Sequence, residues 1–165
     1  MPPHIRPMNW RTDRVAVLGF QKEVYETNFA GFAVTVGFLR DYDSQLRQAA
    51  RSRAEQVLVL DDEGAVRGFV WMAVLTTMAD PLVGYIKNIY VEPQLRGQGW
   101  GQRMLEEADR WFLEHGCPKA ALDATIANSR AVRTYLGAGY EPVRYRMEKV
   151  YGLATPRAED AGDES

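Results

Sequence analysis

The sequence predicts a mixed α/β domain, on three observations. Two runs rich in β-branched and aromatic residues, 56–60 and 65–76, flank Asp61-Asp62-Glu63-Gly64 and read as a hairpin. A further strand over 85–91 passes through a glycine-rich turn into a helix and then into another strand, the order of a parallel crossover unit. Two helical patterns precede these strands, so helices and strands interleave around shared layers.

The elements follow in order. Residues 5–7 read as a short first strand, and Thr12-Asp13 offers an N-cap for a helix with Val17, Leu18, Val24 and Tyr25 on one side. Gly19 weakens that helix by about 1 kcal/mol relative to Ala. A second helix, from about residue 34 to 51, rests on Phe38, Tyr42, Leu46 and Ala49. After the turn at residues 61–64, the second hairpin strand is apolar on both faces, which places it centrally. Asp80-Pro81 and Gly84 punctuate the chain before the strand over 85–91. In the next helix Met104, Leu105, Ala108, Trp111 and Phe112 recur at helical spacing, and Gly116 with Pro118 ends it. A strand is expected over 120–124. Asn128 then caps a short helix with Ala131, Val132 and Tyr135 inward, ended by Gly137 and Gly139. A last strand or hairpin is expected over 140–150.

The chain's 165 residues are 46% hydrophobic and 25% charged, enough apolar material for one domain that folds without staples. One cysteine, Cys117, and two histidines, His4 and His115, leave no disulfide framework and no zinc cluster of ordinary spacing. The net charge is −2, and the last nine residues carry one arginine against four acids. The near-neutral body lacks the electrostatic footprint of a nucleic-acid or anionic-lipid binder. The longest strictly apolar run, 69–75, is far short of the ~20 residues of a membrane span, and the start has no signal-peptide apolar region. A cytoplasmic protein without nucleic-acid or membrane partners is therefore expected. Residues 1–150 read as one domain and 151–165 as an acidic, disordered tail.

The stretch with chemical content is Val91-Glu92-Pro93-Gln94-Leu95-Arg96-Gly97-Gln98-Gly99-Trp100-Gly101-Gln102, where a strand passes through glycines into a helix. Unhindered N–H groups at a helix start bind phosphate oxygens, and the helix dipole adds to the attraction. Glycine at 97, 99 and 101 lets the backbone take positive φ and approach an anion with no Cβ in the way. The same glycines also fit a strand-to-helix turn that needs them for packing. Two nucleotide-binding patterns are excluded. No Lys-Ser/Thr follows, as a P-loop requires, and Gln102 stands where a dinucleotide fingerprint has its third glycine.

Arg96-Gly97-Gln98-Gly99-Trp100-Gly101 resembles the Q/R-x-x-G-x-G/A motif of the GCN5-related N-acetyltransferases (GNAT). Residues Asn128-Ser129-Arg130-Ala131-Val132-Arg133-Thr134-Tyr135 fit that family's N-x-x-A-x-x-x-Y, followed at family spacing by Gly139-Tyr140 in place of the usual Gly-Phe. The hairpin at residues 61–64, Gly68 and Met147-Glu148-Lys149 extend the resemblance over about residues 4–150. It implies a mixed, mostly antiparallel twisted sheet, splayed between its fourth and fifth strands and flanked by about four helices. It also implies acetyl-coenzyme A as cosubstrate and no metal. The pantetheine arm would lie in the gap against the backbone of Ile89, Tyr90 and Val91. The turn formed by Arg96, Gly97, Gln98, Gly99, Trp100, Gly101 and Gln102 would hold the pyrophosphate, and Asn128 would contact the cofactor as well as cap its helix. A bulge that splays two strands leaves unpaired N–H and C=O groups, which an amide-rich arm satisfies like an added strand. An N–H near Val91 is placed to stabilise charge developing on the thioester oxygen.

The reaction so implied is direct acetyl transfer, in a ternary complex, to a primary amine on a small molecule or peptide N-terminus. The alternative is a non-catalytic module of the same fold that senses acyl-coenzyme A. A homodimer stays open. Tyr135 matches the family's general acid, because a phenol of pKa ~10 can protonate a departing thiolate. On helical position alone it reads as a core tyrosine. The acceptor ammonium, of pKa ~10.4, must lose a proton before attack. Where histone-type members carry a strand-four glutamate this chain has Tyr85, with Lys87 two residues on. Asp123 stands where ribosomal-protein N-terminal acetyltransferases carry a glutamate base, and it reads also as a polar strand-end residue. Glu26 and Asp41 stay open as bases. Tyr25, Glu26, Asn28, Phe29 and Phe32 border the acceptor groove the resemblance implies, though such aromatics fit a core as readily. Cys117, in a helix-to-strand turn, is expected to be a neutral thiol with no acyl-carrying role.

Overall fold

The apolar periodicities sort the chain into five strands and four α-helices, seen in a computed structural model that describes residues 1–153. In chain order these are β1 (His4–Pro7), α1 (Trp10–Asn28), α2 (Val36–Ala49), β2 (Glu55–Asp62), β3 (Ala65–Leu75), β4 (Val83–Val91), α3 (Trp100–Glu114), β5 (Ala120–Ala121) and α4 (Ser129–Gly137). A 3-10 turn, Pro93–Leu95, precedes α3. The sheet is open, in the order β1-β2-β3-β4-β5, antiparallel throughout except where β4 meets β5.

Each face of the sheet carries its own apolar layer. Val17 and Phe20 of α1 and Tyr42, Leu46 and Ala49 of α2 pack on Val57, Val59, Phe69 and Trp71. On the other face Met104, Leu105, Ala108 and Phe112 of α3 pack on Leu60, Val70, Met72 and Ile86. The alternation of β3 supplies both layers, which is why it reads as apolar on both faces. Gly84 lets α3 approach β4, since a Cβ there would stand 2.5 Å from the Phe112 ring.

Local chemistry sets the boundaries. Asn9 rather than Thr12-Asp13 caps α1, its side chain accepting from the Arg11 amide at 3.1 Å. Asp13 is committed elsewhere. It takes a two-pronged bond from Arg6 at 2.7 and 3.1 Å, while Arg6 Nε donates to Asp61 at 2.7 Å, so one guanidinium joins β1, α1 and β2. Thr35 caps α2 by accepting from the Phe38 amide. The β2–β3 hairpin turns on Glu63 and Gly64, both at positive φ, the two-residue geometry matched to strand twist.

Two expectations fail at the C-terminal side. The strand expected over 120–124 is realised only at Ala120–Ala121. No strand forms over 140–150, and all of residues 141–150 are exposed. The two failures have one physical cause: a strand needs a neighbour, and the outer edge of β5 has none among the described residues. The acidic tail, expected from residue 151, lies outside the described residues from residue 154 onward.

Candidate active site

Trp71 pairs with Asn88 and Met72 with Ile86, so Lys87 is an extra residue in β4. A bulge of this kind bends its strand and turns two consecutive side chains to one side. Lys87 and Asn88 accordingly line the same cleft. Pairing of β4 with β5 is confined to Gly84–Ala120 and Tyr85–Ala121. From Ile86 onward that edge of β4 has no strand partner among the described residues, and the sheet opens there.

The open edge leads into the glycine turn. Gly97 and Gly99 have φ of 76° and 85°, and nothing lies within 4 Å of where a Cβ would stand on either. Gly99 is the N-cap of α3 and offers no capping side chain, so the first amides of that helix are left for another acceptor. Gly101 differs from the expectation. Its φ is not positive, and a Cβ there would make an ordinary 3.5 Å contact with Thr134, so its place is the seam between α3 and α4. Gln102 serves that seam too, donating to the Thr134 carbonyl at 2.8 Å. Gln98 donates back to the Gln94 carbonyl, and Trp100 lies under the Arg103 guanidinium.

Arg96 Nε donates to the Val91 carbonyl and Nη2 to Glu23, both at 2.7 Å, and the Tyr90 hydroxyl donates to the same carboxylate at 2.5 Å. The turn is thereby fixed to β4 and α1. Burial would raise the Glu23 carboxyl, but the bonds from Tyr90 and Arg96 outweigh it and hold the group below its ordinary range. Tyr90 is pushed well up, by burial and then by Glu23. Ile89 and Val91 pack, like Leu95, Trp100 and Tyr135, against the α3-side layer.

Asn128 accepts from the Ala131 amide as the cap of α4 and donates to the Asn28 side chain at 3.2 Å. With Thr125 donating to the Asn28 carbonyl, the start of α4 is tied to the end of α1. Tyr135 follows on α4, partly buried, with Tyr140 edge-on at 6.4 Å. Burial raises its phenol, and the positive charge of Arg130 opposes that shift.

Sequence reasoning missed Glu23 and Arg130. Glu23 meets partners 67 and 73 residues away, which no local pattern shows. Arg130 sits in the first turn of α4, near enough to Arg96 for repulsion to lower its pKa further after burial has done so. A cation at a helix N-terminus opposes the dipole, and that was the readable signal.

On the α1–α2 face, a cleft of about 250 Å³ is lined by Tyr25, Phe38, Asp41, Tyr42, Gln45, Trp71, Lys87 and Asn88. Tyr25 stacks on Phe29 at 5.5 Å and meets Phe38 edge-on at 4.7 Å, and Phe29 and Phe32 are partly exposed beside it. Asp41 is in this cleft. Glu26 is not among its lining residues and pairs with Lys22 on the surface. Asp123 accepts from the Tyr85 hydroxyl at 2.5 Å, and Tyr85 is pushed up to about 12 by burial and then by that carboxylate. Cys117 is buried, and burial pushes its thiol up, away from the thiolate.

A bulged fourth strand, a parted sheet and an anion-ready turn together define an acyl-coenzyme A binding fold. Residues 22–140 match the acetyltransferase (GNAT) family, and the chain belongs to it. Over 58 residues it is 31% identical to an aminoglycoside N(6')-acetyltransferase type 1 of Serratia marcescens, covering 35% of this chain and 40% of that protein. Over 79 residues it is 33% identical to the thialysine N-epsilon-acetyltransferase of Sus scrofa, covering 42% and 46%. The matches thus span less than half of either relative. Among solved structures, AAC(6')-Iy in complex with the bisubstrate analog CoA-S-monomethyl-acetylneamine superposes with a TM-score of 0.72 at 16% identity, over 93% of this chain and 100% of that one. At that identity the likeness is one of fold.

Proposed function

We propose that the chain is an N-acetyltransferase that moves acetyl from acetyl-coenzyme A to a primary amine. The observation that carries this reading is the continuity of the bare β4 edge with the Gly97–Gly99 turn. Bound there, acetyl-coenzyme A supplies a thioester electrophile and a thiol leaving group. The turn fits its phosphates, since both glycines leave the Cβ positions empty and α3 presents uncapped amides. Arg130, lowered first by burial and then by the charge of Arg96, adds positive charge near the turn that an anion would offset.

Tyr135 is the proton donor in this reading. Burial keeps its phenol neutral, and it packs on the same layer as Ile89 and Val91 of the open edge. The Tyr85–Asp123 pair receives the proton of the acceptor ammonium, directly or through water, and Asp41 places negative charge in the cleft. Aromatic faces beside a carboxylate suit a cationic amine, and the named substrates of the relatives, an aminoglycoside and a lysine analogue, are of that kind. The same reading places the chain in the cytoplasm; no helix among the described residues is long and apolar enough to cross a membrane.

The test is thiol release from acetyl-coenzyme A across a panel of aminoglycosides, polyamines, lysine analogues and peptide N-termini. Release confined to one amine class supports the reading. Tight binding of acetyl-coenzyme A with no release from any amine turns it toward the sensing module.

A further inference from the structure

The cleft on the α1–α2 face has a charge pattern that acetyl transfer by itself does not require. Its lining holds a cation, Lys87, and a carboxylate, Asp41, among the aromatic side chains of Tyr25, Phe38, Tyr42 and Trp71. Lys87 is there because of the bulge. Ile86 packs on the α3-side layer, so Tyr85 and Lys87 on either side of it face α1 and α2, and the extra residue brings Asn88 with them.

This lysine is held, unlike one that swings freely in solvent. Its ammonium lies 4.3 Å from the centre of the Trp71 ring and donates to Glu55 at 3.2 Å, and the Trp71 indole donates to the same carboxylate oxygen at 3.0 Å. Trp71 is buried, so the charge rests on a fixed surface. Glu55 stands outside the cleft lining and occupies one of the ammonium donors; the others have no acceptor among the described residues. On the α2 wall, Asp41 has neither an ion pair nor a side-chain hydrogen bond among the described residues.

Resting on the acetyltransferase reading, we propose that Lys87 chooses the acceptor, and that the cleft takes a small amine that also carries a carboxylate, an amino acid, in preference to a polycation. The carboxylate takes the free donors of Lys87, and the amine turns toward the Tyr85–Asp123 pair. Tyr85 and Lys87 stand two residues apart on one face of β4, about 7 Å, a span that one short molecule covers. Asp41 offsets the charge of the ammonium. A polycation would gain from Asp41 as well, but it would set a further ammonium beside Lys87, a like-charge contact that selects against it. At about 250 Å³ the cleft is smaller than the roughly 300–1,000 Å³ of sites for drug-sized ligands, which suits an acceptor of amino-acid size.

The test reads thiol release from acetyl-coenzyme A with the common L-amino acids, their carboxamides, the matching amines that lack the carboxyl group, and spermidine. In parallel, calorimetry on the chain loaded with coenzyme A reads acceptor binding without turnover. The wild type should favour the amino acid over its carboxamide by about tenfold or more in kcat/KM. Lys87→Met keeps the bulge and an unbranched stem on Trp71 but removes the charge; it should erase that preference by weakening the acid alone, with acetyl-coenzyme A affinity unchanged. Lys87→Glu should turn the preference toward spermidine. A wild type that uses the carboxamide or spermidine as well as the amino acid, or a preference that survives in Lys87→Met, overturns the proposal and leaves the acetyltransferase standing. Silence from every amine fails the acetyltransferase reading, and calorimetry then decides the role of Lys87: an amino acid bound no more tightly than its carboxamide, or not at all, overturns it.

Discussion

Tyr135 concentrates what one side chain contributes. In the proposed reaction its hydroxyl acts only as the thiolate departs, so Tyr135→Phe should lower kcat by about 10²-fold and leave acetyl-coenzyme A affinity nearly unchanged. Equal turnover in steady-state assays would remove the residue from that role. Burial raises this phenol above 10, so the donating form persists past that pH, and any alkaline decline due to it lies higher still and is missing in the variant. At this scale the sequence was readable where a residue's role is local. The caps at Asn128 and the glycines at 97 and 99 could be read because their consequences fall within three residues. Glu23 with Tyr90 and Arg96 could not, because nothing in a helix register announces a partner in a distant turn. Thr12-Asp13 misled for a related reason: a good capping pair was already claimed by Arg6 from β1.

At the scale of elements, two features carry the proposed coenzyme site, and each has its own test. Gly99→Val forces a β-branched residue into left-handed backbone and fills the cradle, and acetyl-coenzyme A should bind at least about tenfold more weakly by calorimetry. The bulge is sharper. Deleting Lys87 leaves the Trp71–Asn88 and Met72–Ile86 pairs adjacent, which restores a regular ladder and straightens β4. The protein should stay folded and lose coenzyme binding; unchanged affinity would show that the bend is not what parts the sheet. Helices α1 to α4 and strands β2 to β4 were legible because each carries a period of its own. The bulge was implied only by the family resemblance, although two consecutive polar residues, Lys87-Asn88, interrupt the alternation between Ile86 and Ile89 where it falls. The strand expected over 120–124 forms only at Ala120–Ala121, and the strand or hairpin expected over 140–150 does not form, because a period of two says nothing of whether a neighbouring strand is in reach.

The whole molecule is held at one corner by Arg6, whose guanidinium serves Asp13 and Asp61 together. Burial would raise Asp13, but the Arg6 bonds outweigh it, and Asp61 is lowered chiefly by Arg6 as well. Carboxyls depressed in the folded state stabilise it above their unfolded pKa, near 4, and that contribution fades as pH falls through the lower folded values. Arg6→Ala strands two carboxylates and should cost roughly 3 kcal/mol at pH 7. The gap between wild type and variant should narrow below about pH 4, as measured by urea unfolding; a gap constant with pH would place the loss elsewhere. The two apolar layers carry a different consequence. The proposed coenzyme site draws on the α3–α4 side and the cleft on the α1–α2 side, with Glu23 as the link between them. Phe38→Ala should therefore raise the acceptor KM several-fold and leave coenzyme affinity intact in the same preparation. Such a chain can inherit its donor chemistry unchanged while its choice of acceptor drifts, and lineages built on it would diverge in substrate long before they diverge in fold.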